Sequence, residues 1–333
     1  MNEQYNSIAI IGAGAWGTAL CQIARRAGRD VVLWAREPEV AEAVNRTHEN
    51  AAFLPGVVLD AGVRATSILE EAAAADALVL AIPAQFLRGV AEALAPAVGP
   101  RTPVTICAKG IERDTCLLMS EVVAQALSGR PMAALSGPTF AAEVANGRPT
   151  AVTLAADDTR VGAALVEALG TPAFRPYQSS DVAGTLIGGA VKNVIAIACG
   201  IAEGREMGEN ARAALITRGL AEMTRLAVKK GGKAETMVGL SGLGDLTLTC
   251  TSRQSRNYSL GRALGEGRLL AEILAERNSV AEGVESAASV VGLAVKIGIE
   301  VPIAQAVDAV LNRGESIDDQ IGALLSRPFR AEG

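Results

Sequence analysis

SIAIIGAGAWG, residues Ser7–Gly17, is the stretch on which the reading of the whole chain depends. Its first half is a short β-branched run. Its second half is GxGxxG, with glycines at Gly12, Gly14 and Gly17. That string by itself is a weak signal. Here a strand precedes it, the helical stretch Ala15–Ala27 follows, Gly28 stands at the helix stop, and Val31–Trp34 reads as the next strand. In a strand–turn–helix–strand unit the three glycines have separate tasks. Gly12 permits the tight turn, Gly14 lets the backbone approach a pyrophosphate, and Gly17 lets helix and strand pack closely. Free N–H groups at the helix start, around Ala15 and Trp16, supply positive potential for phosphate.

The end of the second strand reports on the cofactor. An acidic residue there would hydrogen-bond the adenosine ribose. This chain has Arg36, with Glu37 beside it. Arg36 can pair with a 2′-phosphate or stack flat on adenine. NADPH is therefore expected to be accepted and preferred, while Glu37 keeps NADH open.

Further out, strands and helices keep alternating. Asp76–Ile82, Pro103–Ala108, Met132–Ser136 and Thr150–Ala155 read as buried strands, with helical patterns such as Phe86–Leu94 and Leu117–Leu127 between them. Continuous apolar strands separated by helices predict a parallel sheet covered on both faces. The rhythm changes near Ser179–Asp181. Beyond it come long helical patterns at Val182–Ala202, Ala211–Lys230, Leu260–Ala271, Ser286–Ile297 and Val301–Asn312. The expected fold class is α/β: a Rossmann-type doubly wound sheet over residues 1–180, followed by an all-α domain over residues 181–333.

Composition narrows the function. Net charge is −5 with both signs mixed, which leaves no electrostatic footprint for nucleic acid or anionic lipid. Only 3% of residues are aromatic, so aliphatic side chains must fill the core. The five cysteines form no CxxC pair, fitting small core thiols in a reducing cytoplasm. The polar start MNEQYNS predicts no secretory leader. Val182–Ile201 is apolar enough to raise the question of a membrane span. Lys192 and Asn193 at its centre predict a buried helix instead, since charge is costly in lipid.

His48 is the only histidine, which excludes most histidine-based metal sites and a His–Asp hydride-transfer pair. The proton donor should then be a lysine, tyrosine or carboxylic acid. Lys109 follows a strand end, where open parallel sheets take ligands. Lys192 lies inside an apolar helix, where burial lowers an ammonium pKa into the range useful for acid–base work. The segments Leu240–Asp245 and Thr249–Asn257 gather hydroxyls, amides, glycines and two arginines, a composition suited to a phosphate and neighbouring hydroxyls.

Taken together, GAGAWGTAL (Gly12–Leu20), LWAR (Leu33–Arg36), AKGIE (Ala108–Glu112), LSGPTFAAEV (Leu135–Val144), GGAVKNVIAIACGIAEG (Gly188–Gly204), GLSGLGDLTLTC (Gly239–Cys250) and SRNYSLG (Ser255–Gly261) resemble the bacterial type of NAD(P)-dependent glycerol-3-phosphate dehydrogenase. The resemblance implies reversible reduction of dihydroxyacetone phosphate to sn-glycerol 3-phosphate, a phospholipid precursor, by a homodimer. It implies Lys192 as proton donor and acceptor, with Asp245 beside it. Lys109, Gly137, Thr139, Asp245, Ser255, Arg256 and Asn257 would hold the substrate. Trp16, Arg36, Lys109, Ala141, Arg256, Val280 and Glu282 would contact the cofactor. Ala15 stands where the family usually has serine, which removes one hydroxyl contact to phosphate. Ketopantoate reductases and 3-hydroxyacid dehydrogenases also join such a sheet to helices and a lysine, but they lack the Gly239–Cys250 and Ser255–Gly261 patterns. A non-catalytic NADPH-binding sensor would lack the lysine and the substrate cluster.

Overall fold

The computed structural model describes residues 4–276 and 282–329. In chain order the first elements are β1 (Ser7–Ile11), α1 (Ala15–Arg26), β2 (Asp30–Trp34), α2 (Pro38–Thr47), β3 (Val63–Thr66), α3 (Leu69–Ala73), β4 (Ala77–Leu80) and α4 (Ala84–Leu94). Then come β5 (Val104–Ile106), α5 (Met119–Ala126), β6 (Met132–Ser136), α6 (Ala141–Ala145), β7 (Thr150–Ala156), α7 (Thr159–Leu169) and β8 (Phe174–Ser179). Beyond β8 the described residues hold only helices. These are α8 (Val182–Gly204), α9 (Gly208–Lys229), α10 (Ala234–Met237), a π-helical turn at Leu240–Gly244, α11 (Asp245–Thr251), α12 (Arg256–Gly265), α13 (Leu270–Ala275), α14 (Glu282–Ile297), α15 (Pro302–Arg313) and α16 (Ile317–Leu325).

All eight strands form one sheet in the order β3-β2-β1-β4-β5-β6-β7-β8. Successive side chains of a strand face opposite sides. Ile8 and Ile10 accordingly enter one core with Leu20 and Ile23 of α1, while Ala9 and Ile11 enter the other with Leu87 of α4 and Val122 of α5. A strand buried on both faces must be apolar throughout. The strand order reverses between β1 and β4, which opens a crevice at their carboxyl ends. Gly12 N donates to the Trp34 carbonyl at 3.0 Å and ties the ends of β1 and β2 together there.

The expected parallel sheet holds from β3 to β6 and then reverses. β7 runs antiparallel to β6, and β8 runs parallel to β7. The connection through α6 docks on α1, where Arg26 donates to the carbonyls of Val144 and Ala145 at 3.2 and 2.5 Å. Held on that side, the chain returns in the opposite direction. The single helix expected over Leu260–Ala271 is two helices. Gly267, at φ +92°, turns the chain between α12 and α13, a conformation that L side chains rarely adopt.

Helix α8 is the axis of the helical half. Its most apolar stretch is entirely buried within the fold. The Asp181 carboxylate caps it by accepting from Gly184 N at 2.8 Å. The same carboxylate accepts from Lys233 N at 2.8 Å and Thr236 Oγ1 at 2.6 Å, which fixes α10 against the start of α8. Farther along, α12 crosses α8 through Gly200, Gly204, Gly261 and Gly265. A Cβ on Gly200 would fall on the Tyr258 carbonyl, and one on Gly261 would fall on that of Ile197. The two helices therefore touch backbone to backbone.

Candidate active site

Lys192 sits midway along α8 with 5% of its surface exposed. An unpaired ammonium at that depth would be costly. Its partner is Asp245, completely buried, whose Oδ1 accepts from Lys192 Nζ. The π-helical turn at Leu240–Gly244 delivers Asp245 to that point; such wide turns are rare and are frequent at functional sites. Lys109, three residues beyond β5, donates from Nζ to the other carboxylate oxygen, Oδ2, at 2.8 Å. It also donates to the Gly137 carbonyl, just past β6, at 3.3 Å. One carboxylate thus carries two ammonium groups, one from each half of the molecule.

The two lysines respond in opposite ways. Burial opposes the charge on Lys109, but the Asp245 carboxylate and its hydrogen bond hold that ammonium above the ordinary lysine value. At Lys192 burial dominates. The attraction of Asp245 offsets it only in part and the neighbouring Lys109 charge reinforces it, so the pKa is brought down to about 7. That is the range in which a group can both give and take a proton near neutrality.

Two further side chains complete the arrangement. Thr249 lies one turn after Asp245 on α11. It accepts from Lys192 Nζ at 3.0 Å and donates to the Asp245 carbonyl at 2.6 Å. Asn193 donates from Nδ2 to the Lys109 carbonyl at 3.3 Å and links α8 to the loop after β5. The sequence brought both to notice, Asn193 beside Lys192 and Thr249 in the polar cluster, but gave neither a place in the site. The i, i+4 spacing from Asp245 to Thr249 was the available signal, because it puts both on one helix face.

The remaining candidates surround this centre or support it. The carboxyl pKa of Glu282, half-buried at the start of α14, is pushed up by burial against the positive charges of Arg256, Lys109 and Lys192. Ser255 caps α12, with its Oγ accepting from Tyr258 N at 3.2 Å. Asn257 Oδ1 accepts from Gly283 N at 3.1 Å and joins α12 to α14. Thr139 Oγ1 donates to the Gly137 carbonyl at 3.3 Å, and Ala141 opens α6. His48 is remote in role as well as in sequence: it ends α2 in a left-handed conformation. Val280 lies outside the described residues.

The glycine turn fits a dinucleotide. A Cβ on Gly12 would meet the Ala81 carbonyl oxygen at 2.6 Å, and one on Gly17 would collide with the carbonyl of Gly12. A Cβ on Gly14 would meet nothing within 4 Å, so this glycine faces open space. Gly14 is also the N-cap of α1, makes no side-chain cap, and is followed by a first turn without acidic residues. The first N–H groups of that helix are left to an anion. The turn and the lysine pair share one edge of the sheet. Gly12 meets Ala81 at the end of β4, and Gly110, beside Lys109, packs on Ala84 three residues farther on. Arg36 stands at the same edge, but its guanidinium is engaged: Nε and Nη2 both donate to Glu37 Oε1, at 2.9 and 2.5 Å.

The family model for the NAD-dependent glycerol-3-phosphate dehydrogenase N-terminus matches residues 7–162, and the model for its C-terminus matches residues 181–322. The chain belongs to the NAD-dependent glycerol-3-phosphate dehydrogenase family. Curated relatives agree along the full length. A protein of Parvibaculum lavamentivorans named glycerol-3-phosphate dehydrogenase, NAD(P)+, is 58% identical and covers all of both chains. One of the same name from Rhodospirillum rubrum is 59% identical over all of this chain and 96% of its own. The crystal structure of glycerol-3-phosphate dehydrogenase from Coxiella burnetii superposes with a TM-score of 0.93 at 38% identity, covering 97% of this chain and 99% of that one. In this member of the glycerol-3-phosphate dehydrogenase family, the first matched portion supplies Lys109 and the glycine turn, and the second supplies Lys192 and Asp245.

Proposed function

We propose that Lys192, held by Asp245 and Thr249, is the proton donor and acceptor in the family's reaction, the reversible NAD(P)-linked interconversion of dihydroxyacetone phosphate and sn-glycerol 3-phosphate. A nicotinamide dinucleotide held at the Gly12–Gly17 turn would supply or accept the hydride at the substrate carbon. As the ketone is reduced, negative charge grows on its oxygen, and the Lys192 ammonium stabilises and then protonates it. Lys109 stays charged and adds positive potential at the same oxygen. Arg256, with Ser255 and Asn257, anchors the substrate phosphate, and Gly137 and Thr139 line the approach. Anchoring the remote phosphate positions the carbonyl for transfer. Ala141, Trp16 and Glu282 serve the cofactor.

The observation that carries this reading is the buried Lys109–Asp245–Lys192 bridge at the sheet edge that also holds the glycine turn. The protein is expected to oxidise NADPH with dihydroxyacetone phosphate and not with ketopantoate. Equal rates with the two ketones would overturn the substrate assignment.

We divide the chain between residues 180 and 181, where β8 gives way to the Asp181 cap of α8. The five buried free thiols suit a reducing cytoplasm. A homodimer is favoured by one surface. Helix α16 is apolar along one side yet has no buried residue, and it borders a groove of about 880 Å³ lined by Leu215, Ile303, Val307, Ile321, Leu324 and Phe329. The rim is polar, with Arg218 and Arg225 beside the Glu300–Arg327 ion pair, around an apolar floor. Light scattering on the wild type should give twice the 34.1 kDa chain mass, and Leu325→Glu should shift it towards one. A monomeric wild type would exclude this dimer.

A further inference from the structure

Arg36 and Glu37 form an ion pair whose position gives it a use. Strand β2 ends at Trp34, beside the Gly12 turn, so both side chains stand where the adenosine end of a dinucleotide bound at that turn is read. The guanidinium closes on a single oxygen of Glu37, with Arg36 74% and Glu37 39% exposed. Glu37 is the N-cap residue of α2, yet its carboxylate does not cap that helix. The carboxylate is therefore spent on Arg36.

We propose that Glu37 sets the balance between NADPH and NADH by occupying the guanidinium that a 2′-phosphate would otherwise take. This rests on the reading of the glycine turn as the dinucleotide site. A 2′-phosphate must displace a carboxylate already in place and then lie close to its negative charge. A ribose 2′-hydroxyl needs no such displacement and finds the acceptor oxygens of Glu37 at hand. The pair thus weakens discrimination that Arg36 alone would impose and leaves both cofactors usable.

The test is direct binding of cofactor fragments, read by calorimetry without turnover. 2′,5′-ADP carries the distinguishing phosphate and 5′-AMP lacks it. In Glu37→Gln, 2′,5′-ADP should bind about two- to fivefold more tightly, the scale expected for releasing an exposed ion pair, while 5′-AMP changes by less than about 1.5-fold. Arg36→Gln should weaken 2′,5′-ADP, and adding it to Glu37→Gln should abolish the gain. An unchanged ratio of the two fragments in Glu37→Gln, or equal tightening of both, would overturn the proposal while leaving the glycine-turn site intact. If neither fragment binds the wild type, the dinucleotide site fails and the proposal falls with it.

Discussion

Replacing Lys192 by alanine is expected to lower kcat for dihydroxyacetone phosphate reduction by roughly 10²–10⁴-fold, the span associated with losing a positioned proton donor. The variant should still fold, because Asp245 keeps Lys109 as its counter-charge and no lone carboxylate is left buried. NADPH should still bind, since the glycine turn is untouched. The pH profile gives the sharper signature. Reduction needs the ammonium, so the wild-type rate should fall as pH rises through about 7, the value to which burial brings Lys192. Oxidation of glycerol 3-phosphate needs the neutral amine and should rise through the same range. Both limbs should disappear in Lys192→Ala. Near-normal turnover with both limbs intact would remove Lys192 from the chemistry.

The second large effect is expected at Asp245→Asn. The amide keeps the shape but removes the charge that the buried Lys192 and the half-buried Lys109 share. The cost should stay below the roughly 3–5 kcal/mol of a fully buried unpaired charge, because Lys192 can shed its proton and Lys109 is partly solvated. The sign of the pH effect follows from the contributions to Lys192. Asp245 raises its pKa while burial and Lys109 lower it, so losing Asp245 lowers it further. The reduction limb should therefore move to lower pH, with most activity gone at neutrality and some recovered in acid. Urea unfolding would report the stability loss, and rates measured from pH 5.5 to 8 would report the shift. A limb that moved to higher pH would contradict this account of the lysine.

The glycine turn, the two lysines and the change from strands to helices were legible because each is written in local sequence. Glycines within one turn, a charge inside an apolar run and a change of hydrophobic period need no distant partner to be seen. The reversed β7 was not legible, since its direction depends on Arg26 holding α6 from far along the chain. Strands β3 and β8 lie at the sheet edges, are only half apolar, and β8 contains Pro176; such strands carry a weak pattern. The break after α12 was hidden because Leu260, Leu264 and Leu269 continue an apolar spacing that Gly267 interrupts. At the site, Asp245 was placed beside Lys192 only through the family resemblance. Its second ammonium was not legible, because Lys109 arrives from the other half of the chain. The Arg36–Glu37 pair was visible as two neighbouring letters, but which of them faces a phosphate depends on rotamers that no spacing records.

The crossing of α8 and α12 has a mechanical consequence. Lys192 and Arg256 ride on two rods that meet main chain to main chain at four glycines, with Ile197 and Ile201 of one packed among Tyr258, Leu260 and Leu264 of the other. The two side chains therefore move together, as one lever. In the proposed reaction, closure around the ketone would then be a movement between the sheet half and this helix pair, with the spacing between the two helices held.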